Sequence, residues 1–340
     1  MNLYFKKFGV SIFLILAFTL CVFNLSAFAK TTIRYSHPAS SDMCISVEEA
    51  WGRVFKGIVE AETHGELEVK IYSSAQLGDQ RQSTEGVQMG TLEMAAISDS
   101  VLGLFYPKAA IMTLPFAFKD SDDVVKFWET DFAKEWADKC AKETGIKILS
   151  LCTFGFRNFT NNVRPIKTPE DMKGLSIRVQ QSPVFIGLVK ALGAIPTPLS
   201  MNEVYGALQT GLLDGQENPF STIMLYSLYE VQKYLTNMGY IAGIEPIIIS
   251  EKFYNSLSDE FKEVIDKAAH KADQAYLGGS HVNNFGRGLT TLAEHMEIYT
   301  PTSEEKEKFK AIIQPAALKV IEEQVGAEYL DKYLEVLDKL

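Results

Sequence analysis

The chain has 340 residues, 46% of them hydrophobic and 22% charged, enough apolar mass for one large or two smaller cores. Its formal charge is −10, which makes it a poor match for nucleic acid and obliges any anion site to be a local positive pocket. The five histidines and four cysteines show no zinc spacing, and no phosphate-binding glycine loop, nucleophile elbow or metalloprotease motif occurs, so neither a metal nor a cofactor is expected.

The first 29 residues read as a secretory signal. Lys6 and Lys7 form the basic start, Ile12 to Val22 the apolar core, and Ala27-Phe28-Ala29 the small-x-small cleavage site. Cleavage after Ala29 predicts a mature chain from Lys30, exported to the periplasm. Losing Lys6 and Lys7 takes the charge from −10 to −12. Cys44, Cys140 and Cys152 remain; the spacing leaves open whether Cys140 and Cys152 pair or stay as free thiols.

Thr32 to Ser36 reads as a first strand, ended by His37-Pro38. Val47, Trp51, Val54, Phe55 and Ile58 recur at helical spacing, and Leu67, Val69 and Ile71 alternate as a second strand. A helix from Gln80 to Met89 and a strand over Leu92 to Ala96 follow, predicting a parallel sheet with helices on both faces. Beyond the short apolar Leu114 to Phe118, a helix is expected from Ser121 through Trp136, then a strand from Ile146 running to Phe156.

Two arginines follow, each at the end of an expected strand. Arg157 comes just after Gly155-Phe156. In Leu175 to Val179, Leu175, Ile177 and Val179 take one face, and Ser176 and Arg178, continued by Gln180, the other. A guanidinium keeps its charge, so a cleft built round two of them calls for an anion. Alternation alone favours the plainer reading of Arg178 as a solvated strand residue. Thr168 to Asp171 and Ser200 to Glu203 are capping boxes. Ser182-Pro183 opens a helix whose free N–H groups would lie close to Arg178. After Pro219 come a helix through Ile223 and Leu228, a strand Pro246 to Ser250, and a long helix from Ser258 with a break expected at Gly278-Gly279. The tail from Thr302 is helical, with breaks expected near Pro315 and Gly326. No flexible linker separates two lobes, so strands would cross between them.

Taken together, Gln76-Leu77-Gly78-Asp79, Gly90 to Met94, Leu104 to Pro107, Leu114-Pro115-Phe116, Arg164-Pro165-Ile166, Leu175 to Val179 and Glu203 to Pro219 resemble the substrate-binding subunits of TRAP transporters, the DctP family. The resemblance spans nearly all of the chain beyond residue 29. It implies an α/β periplasmic binding protein fold, with two domains joined by hinge strands and braced by a long helix. The expected boundaries are 30–154 plus 244–283 for one lobe and 155–243 plus 284–340 for the other. It also implies a receptor, not an enzyme, that carries a small organic acid to TRAP membrane subunits. In such proteins the arginine matched by Arg178 pairs with the ligand carboxylate, and the one matched by Arg157 assists. Asn218 matches the asparagine of the family's Gly-Gln-Glu-Asn-Pro stretch, and His37, Gln80, Ser98 and Met201 fall at contact positions. The sialic-acid branch has an acid at the position of Ser98, a carboxylate near Gln80 and an aromatic near Met201, so these departures speak against that ligand. The rival readings are a receptor for an ABC importer or membrane sensor, and a secreted enzyme acting on a small acid.

Overall fold

The structure is a computed structural model that describes residues 30–340. The expected signal segment and its cleavage site lie outside the described residues.

Eleven strands form two sheets among the described residues: β1 Thr31–Ser36, β2 Leu67–Tyr72, β3 Met94–Ala96, β4 Ile146–Phe156, β5 Asn158–Asn161, β6 Ser176–Val179, β7 Ile195–Pro198, β8 Gly215–Asn218, β9 Tyr234–Thr236, β10 Ala242–Ser250 and β11 Glu297–Tyr299. The first sheet has the order β2-β1-β3-β10-β4 and the second β11-β9-β5-β8-β6-β7. In the first, β1, β2 and β3 are parallel, as the β-α-β-α-β order predicts, but β10 is antiparallel to both β3 and β4. The all-parallel expectation fails because β10 enters from the second sheet and not through a helical crossover.

Six helices frame the site: α1 Val47–Glu62, α2 Gln80–Met89, α3 Pro183–Ala191, α4 Met201–Gln209, α5 Asp259–His281 and α6 Ser303–Val325. Their starts follow local chemistry. Asp79 with Gln82, Ser200 with Glu203 and Thr302 with Glu305 form reciprocal capping boxes. The helix expected from Ser121 through Trp136 is two helices, because the Thr130 hydroxyl accepts from the Ala133 amide and starts the second at Asp131. Pro315 does not break α6. A stripe of Phe309, Ile313, Ala317 and Ile321 is buried along one face, and that packing outweighs the single backbone bond proline removes.

The chain crosses between the sheets at three places. β4 passes into β5 through Arg157, and β9 passes into β10 through residues 237–241. These two crossings are laced together: the Arg157 amide donates to Ile241 O (2.9 Å), and the Tyr240 amide to Arg157 O (3.2 Å). The third is α5, which runs through Gly278-Gly279 without the expected break and opens instead into a π turn at Val282–Gly286. Asn284 in that turn donates to Phe154 O (2.9 Å) and Ser280 O (2.8 Å), and its Oδ1 accepts from the Ser221 amide (3.3 Å). One side chain thus ties the end of β4, the end of α5 and the segment after β8. Gly155 makes room for it: its φ is +116°, and a β-carbon there would stand 2.4 Å from Asn284 Oδ1. Gly155→Ala should therefore cost about 1–3 kcal/mol. Urea unfolding measures this, and an unchanged midpoint would refute the packing account.

The C-terminal helices lie across both sheets' layers. α6 packs on α3, and Tyr333 beyond it meets Phe127 edge to face at 5.8 Å. Cys140 and Cys152 are both buried and free; Cys152 sits beside Asp273 (3.5 Å), in a different core cluster from Cys140. Among the described residues no helix is long and apolar enough to cross a membrane.

Candidate functional site

The C-terminal ends of β1, β3, β4, β6 and β8 converge on one cavity, where open α/β sheets place their ligands. It is lined from the first sheet's side by Pro38, Gln80, Ser98 and Glu245, and from the second by Arg178, Gln180, Asn218 and Tyr226. Six of the seven residues expected from sequence, Arg178, Arg157, Asn218, Gln80, Ser98 and Met201, line it. His37 does not. It is buried beneath, with Nε2 3.0 Å from Glu49 Oε2, and only its neighbour Pro38 reaches the cavity.

Arg178 owes its position to β6, where alternation sends Ile177 and Val179 into the core and Arg178 toward the cleft. It is 4% exposed. Its Nε and Nη2 donate to Leu199 O (2.9 and 2.7 Å), the last carbonyl before the Ser200 cap of α4. The helix start beside it is therefore that of α4, which contributes Ser200, Met201 and Asn202 to the cavity, rather than that of α3. No acidic side chain pairs with Arg178 among the described residues. Its pKa is lowered to about 10: burial is the largest cause, the Glu217 carboxylate opposes it, and the like charge of Arg157 adds to it. This is a desolvated cation with one edge satisfied by a carbonyl.

Arg157 stands differently. Its Nη2 donates to Glu217 Oε1 (2.9 Å), Glu217 O (2.7 Å) and Asn218 Oδ1 (2.9 Å), and its Nε faces Glu217 Oε2 (2.5 Å). Tyr240 donates to the same Oε2 (3.0 Å), and the Phe185 ring lies 5.3 Å below the guanidinium. Burial alone would lower the arginine pKa, but Glu217 outweighs it and the net direction is upward. The expectation of two free cations is thus corrected: Glu217 neutralises Arg157, and Arg178 carries the uncompensated charge. The bidentate pair instead holds β8 against the hinge.

Gln180, two residues past Arg178, bridges the cleft. With its amide turned so that both ends find partners, its oxygen accepts from Arg157 Nη1 and Nη2 (3.1 and 3.2 Å), and its nitrogen donates to the Ser98 hydroxyl (3.0 Å) and also contacts Ser100. Ser98 in turn donates its amide to Gln80 Oε1 (3.0 Å). Sequence reading placed Gln180 on the Arg178 face without giving it a role. It missed Glu217, which sits in the polar run from Gly215 to Asn218, and Tyr226, Glu48 and Glu245, whose only signal is an acid or phenol beside apolar neighbours.

Asp99, beside Ser98, is buried behind the cavity wall. Burial pushes its pKa up to about 7, against the opposing pull of Arg157 and of its bond to the Ser100 amide (2.6 Å). A folded-state pKa above the unfolded value means that the protonated acid is the favoured buried form. Its contribution to stability is complete below about pH 4 and is lost as pH rises toward 7, by about 4 kcal/mol at most. Asp99→Asn should flatten that part of the stability–pH profile in chemical denaturation, and an unchanged slope between pH 4 and 7 would contradict it.

Among the described residues no group of three or more His, Cys, Asp or Glu is arranged to hold a metal. The cleft is built to enclose a small anion between two α/β halves: a solute receptor of the two-lobed class. The profile of the bacterial extracellular solute-binding protein family 7, DctP, matches residues 39–324. The chain is 36% identical to the sialic acid-binding periplasmic protein SiaP of Vibrio cholerae over 76% of this chain and 80% of that protein. It is 29% identical to the C4-dicarboxylate-binding periplasmic protein DctP of Rhodobacter capsulatus, covering 87% and 88% of the two. The solved structure of the sugar acid binding protein DctPAm from Advenella mimigardefordensis, in complex with galactonate, superposes with a TM-score of 0.85 at 28% identity, over 91% of this chain and 98% of that one. The chain belongs to the DctP family of TRAP transporter solute-binding proteins. It is a receptor for TRAP-type transport and not an enzyme.

Proposed function

We propose that the chain captures a small organic acid by seating its carboxylate on Arg178, and hands it to the membrane subunits of a TRAP transporter. The observation that carries this is a buried guanidinium, facing the cavity between the two sheets, with no carboxylate of its own. Arg presents a planar fork that matches two carboxylate oxygens, and exclusion of water strengthens the pair. Arg157 and Asn218 act together as the rigid backing of the site, while Gln80, Ser98 and Met201 contact the rest of the ligand. His37 contributes through the loop that brings Pro38 to the wall. The names of the relatives, which bind sialic acid, a sugar acid and C4-dicarboxylates, support an acid as ligand. Ser98, Gln80 and Met201 favour an acid other than sialic acid.

On this reading residues 1–29 are removed after Ala29 and the chain from Lys30 works in the periplasm. Residues 30–154 with 244–283 move as one lobe against 155–243 with 284–340, the hinge lying at Arg157, residues 237–241 and the π turn. Mass spectrometry of material released from the purified protein should yield a small organic acid. The identified acid, at a hundredfold excess over its dissociation constant, should add about 2.7 kcal/mol of stability. Absence of any such shift across a panel of organic acids would overturn the proposal.

A further inference from the structure

The same cavity carries two buried acids that an anion receptor does not need. Glu48, in the first turn of α1, and Glu245, in the middle of β10, both line it, and both come from the first sheet's side, across from Arg178 on β6. They are 8% and 3% exposed. Neither is paired with a lysine or arginine among the described residues. Ser46 Oγ donates to Glu48 Oε2 (3.2 Å), and the Tyr276 hydroxyl donates to Glu245 Oε2. Oε1 of Glu245 accepts no hydrogen bond from a described residue.

We infer that Glu48 and Glu245 form a wall that reads hydrogen-bond donors on the ligand, so that the acid taken is a monocarboxylate bearing hydroxyl or ammonium groups away from its carboxylate, while a dicarboxylate of the same length is rejected. The inference rests on the acid-receptor reading above. Its argument is electrostatic and geometric. Arg157 and Glu217 cancel each other, so the cavity's remaining buried ionisable groups are Arg178 at one side and the two acids at the other. Burial raises the pKa of both acids, and for Glu245 the neighbouring Glu48 charge raises it further. Buried carboxyl oxygens on that wall call for a hydrogen-bond donor, and a second ligand carboxylate set against them would add like charge where burial already disfavours it. A ligand hydroxyl or ammonium supplies the donor that the Glu245 oxygen lacks, which is the pairing a buried acceptor requires.

The test is calorimetric titration of the whole mature protein with matched pairs: D-galactonate against galactarate, and 4-aminobutyrate against succinate. At least one donor-bearing monocarboxylate should bind tenfold or more tighter than its dicarboxylate partner, and the pair that shows it tells whether hydroxyls or an ammonium are read. Glu48→Gln and Glu245→Gln should each shrink that ratio. An unchanged unfolding midpoint in each glutamine variant controls for simple misfolding. Dicarboxylates binding as tightly as their partners in the wild type would overturn the inference, as would a ratio unmoved in both glutamine variants. In either case the acid-receptor reading stands provided Arg178→Ala still weakens binding by about two to four powers of ten. If none of the four acids, nor any other, binds the wild type, that reading falls and takes this one with it.

Discussion

Arg178→Ala is expected to weaken binding of the acid ligand by about 3–5 kcal/mol, two to four powers of ten in affinity. The size follows from what is left behind. Arg178 is 4% exposed, and its neighbour Arg157 is already committed to Glu217, so no second cation can turn to the stranded carboxylate. The folded apo protein should meanwhile lose little stability, because the variant removes a buried charge without orphaning an acid. Its Leu199 carbonyl loses two donors, but the site opens on a cavity where water can replace them. Arg178→Lys should also weaken binding markedly. An ammonium on the same strand cannot hold the Leu199 carbonyl and present a two-pronged edge to the ligand at once. Calorimetric titration of both variants decides it, and wild-type affinity in either would remove Arg178 from the site.

How far this site is legible in the sequence depends on how local its causes are. The caps at Thr168 and Ser200 lie within four residues of their partners, and each forms as the residue pattern predicts. Arg178 emerges from alternation over five residues, since a strand buried on one face has no other way to turn. β8 escapes notice because Gly215-Gln216-Glu217-Asn218 has no apolar residue at all, yet all four are buried. Its side chains are satisfied from afar: Gln216 by Thr160 (2.8 Å), Glu217 and Asn218 by Arg157, some sixty positions away. A polar strand can be buried only when its partners come from elsewhere in the fold, and periodicity carries no information about them. The break in α5 is misplaced for a related reason. Gly278 and Gly279 signal weakness in a helix, but the π turn falls at 282–286, where Asn284 finds the end of β4. A helix yields where a tertiary partner rewards the yielding, which need not be where its propensity is lowest.

The same distance-60 pairing sets the largest expected loss of stability. Glu217→Ala should destabilise the fold by about 3–5 kcal/mol, because it leaves the Arg157 guanidinium, 2% exposed, without its countercharge in the interior. Only the Glu217 and Asn218 oxygens and the Gln180 amide would remain to it, and Tyr240 would lose its acceptor. Glu217→Gln keeps the shape and one acceptor, so its cost should be smaller. The informative experiment is the double variant. Replacing both partners, as in Arg157→Met with Glu217→Leu, removes the buried charges together, and the desolvation that each suffered goes with them. If the pair's role is charge compensation, the double variant should be more stable than Glu217→Ala in chemical denaturation. Equal losses would mean that the hydrogen bonds to the β8 backbone, and not the charges, hold the second sheet to the hinge. Ligand binding by the double variant then separates stability from function. Arg178 remains, but the wall behind it has lost the guanidinium that orients Asn218 and Gln180, so affinity should fall even where the fold survives.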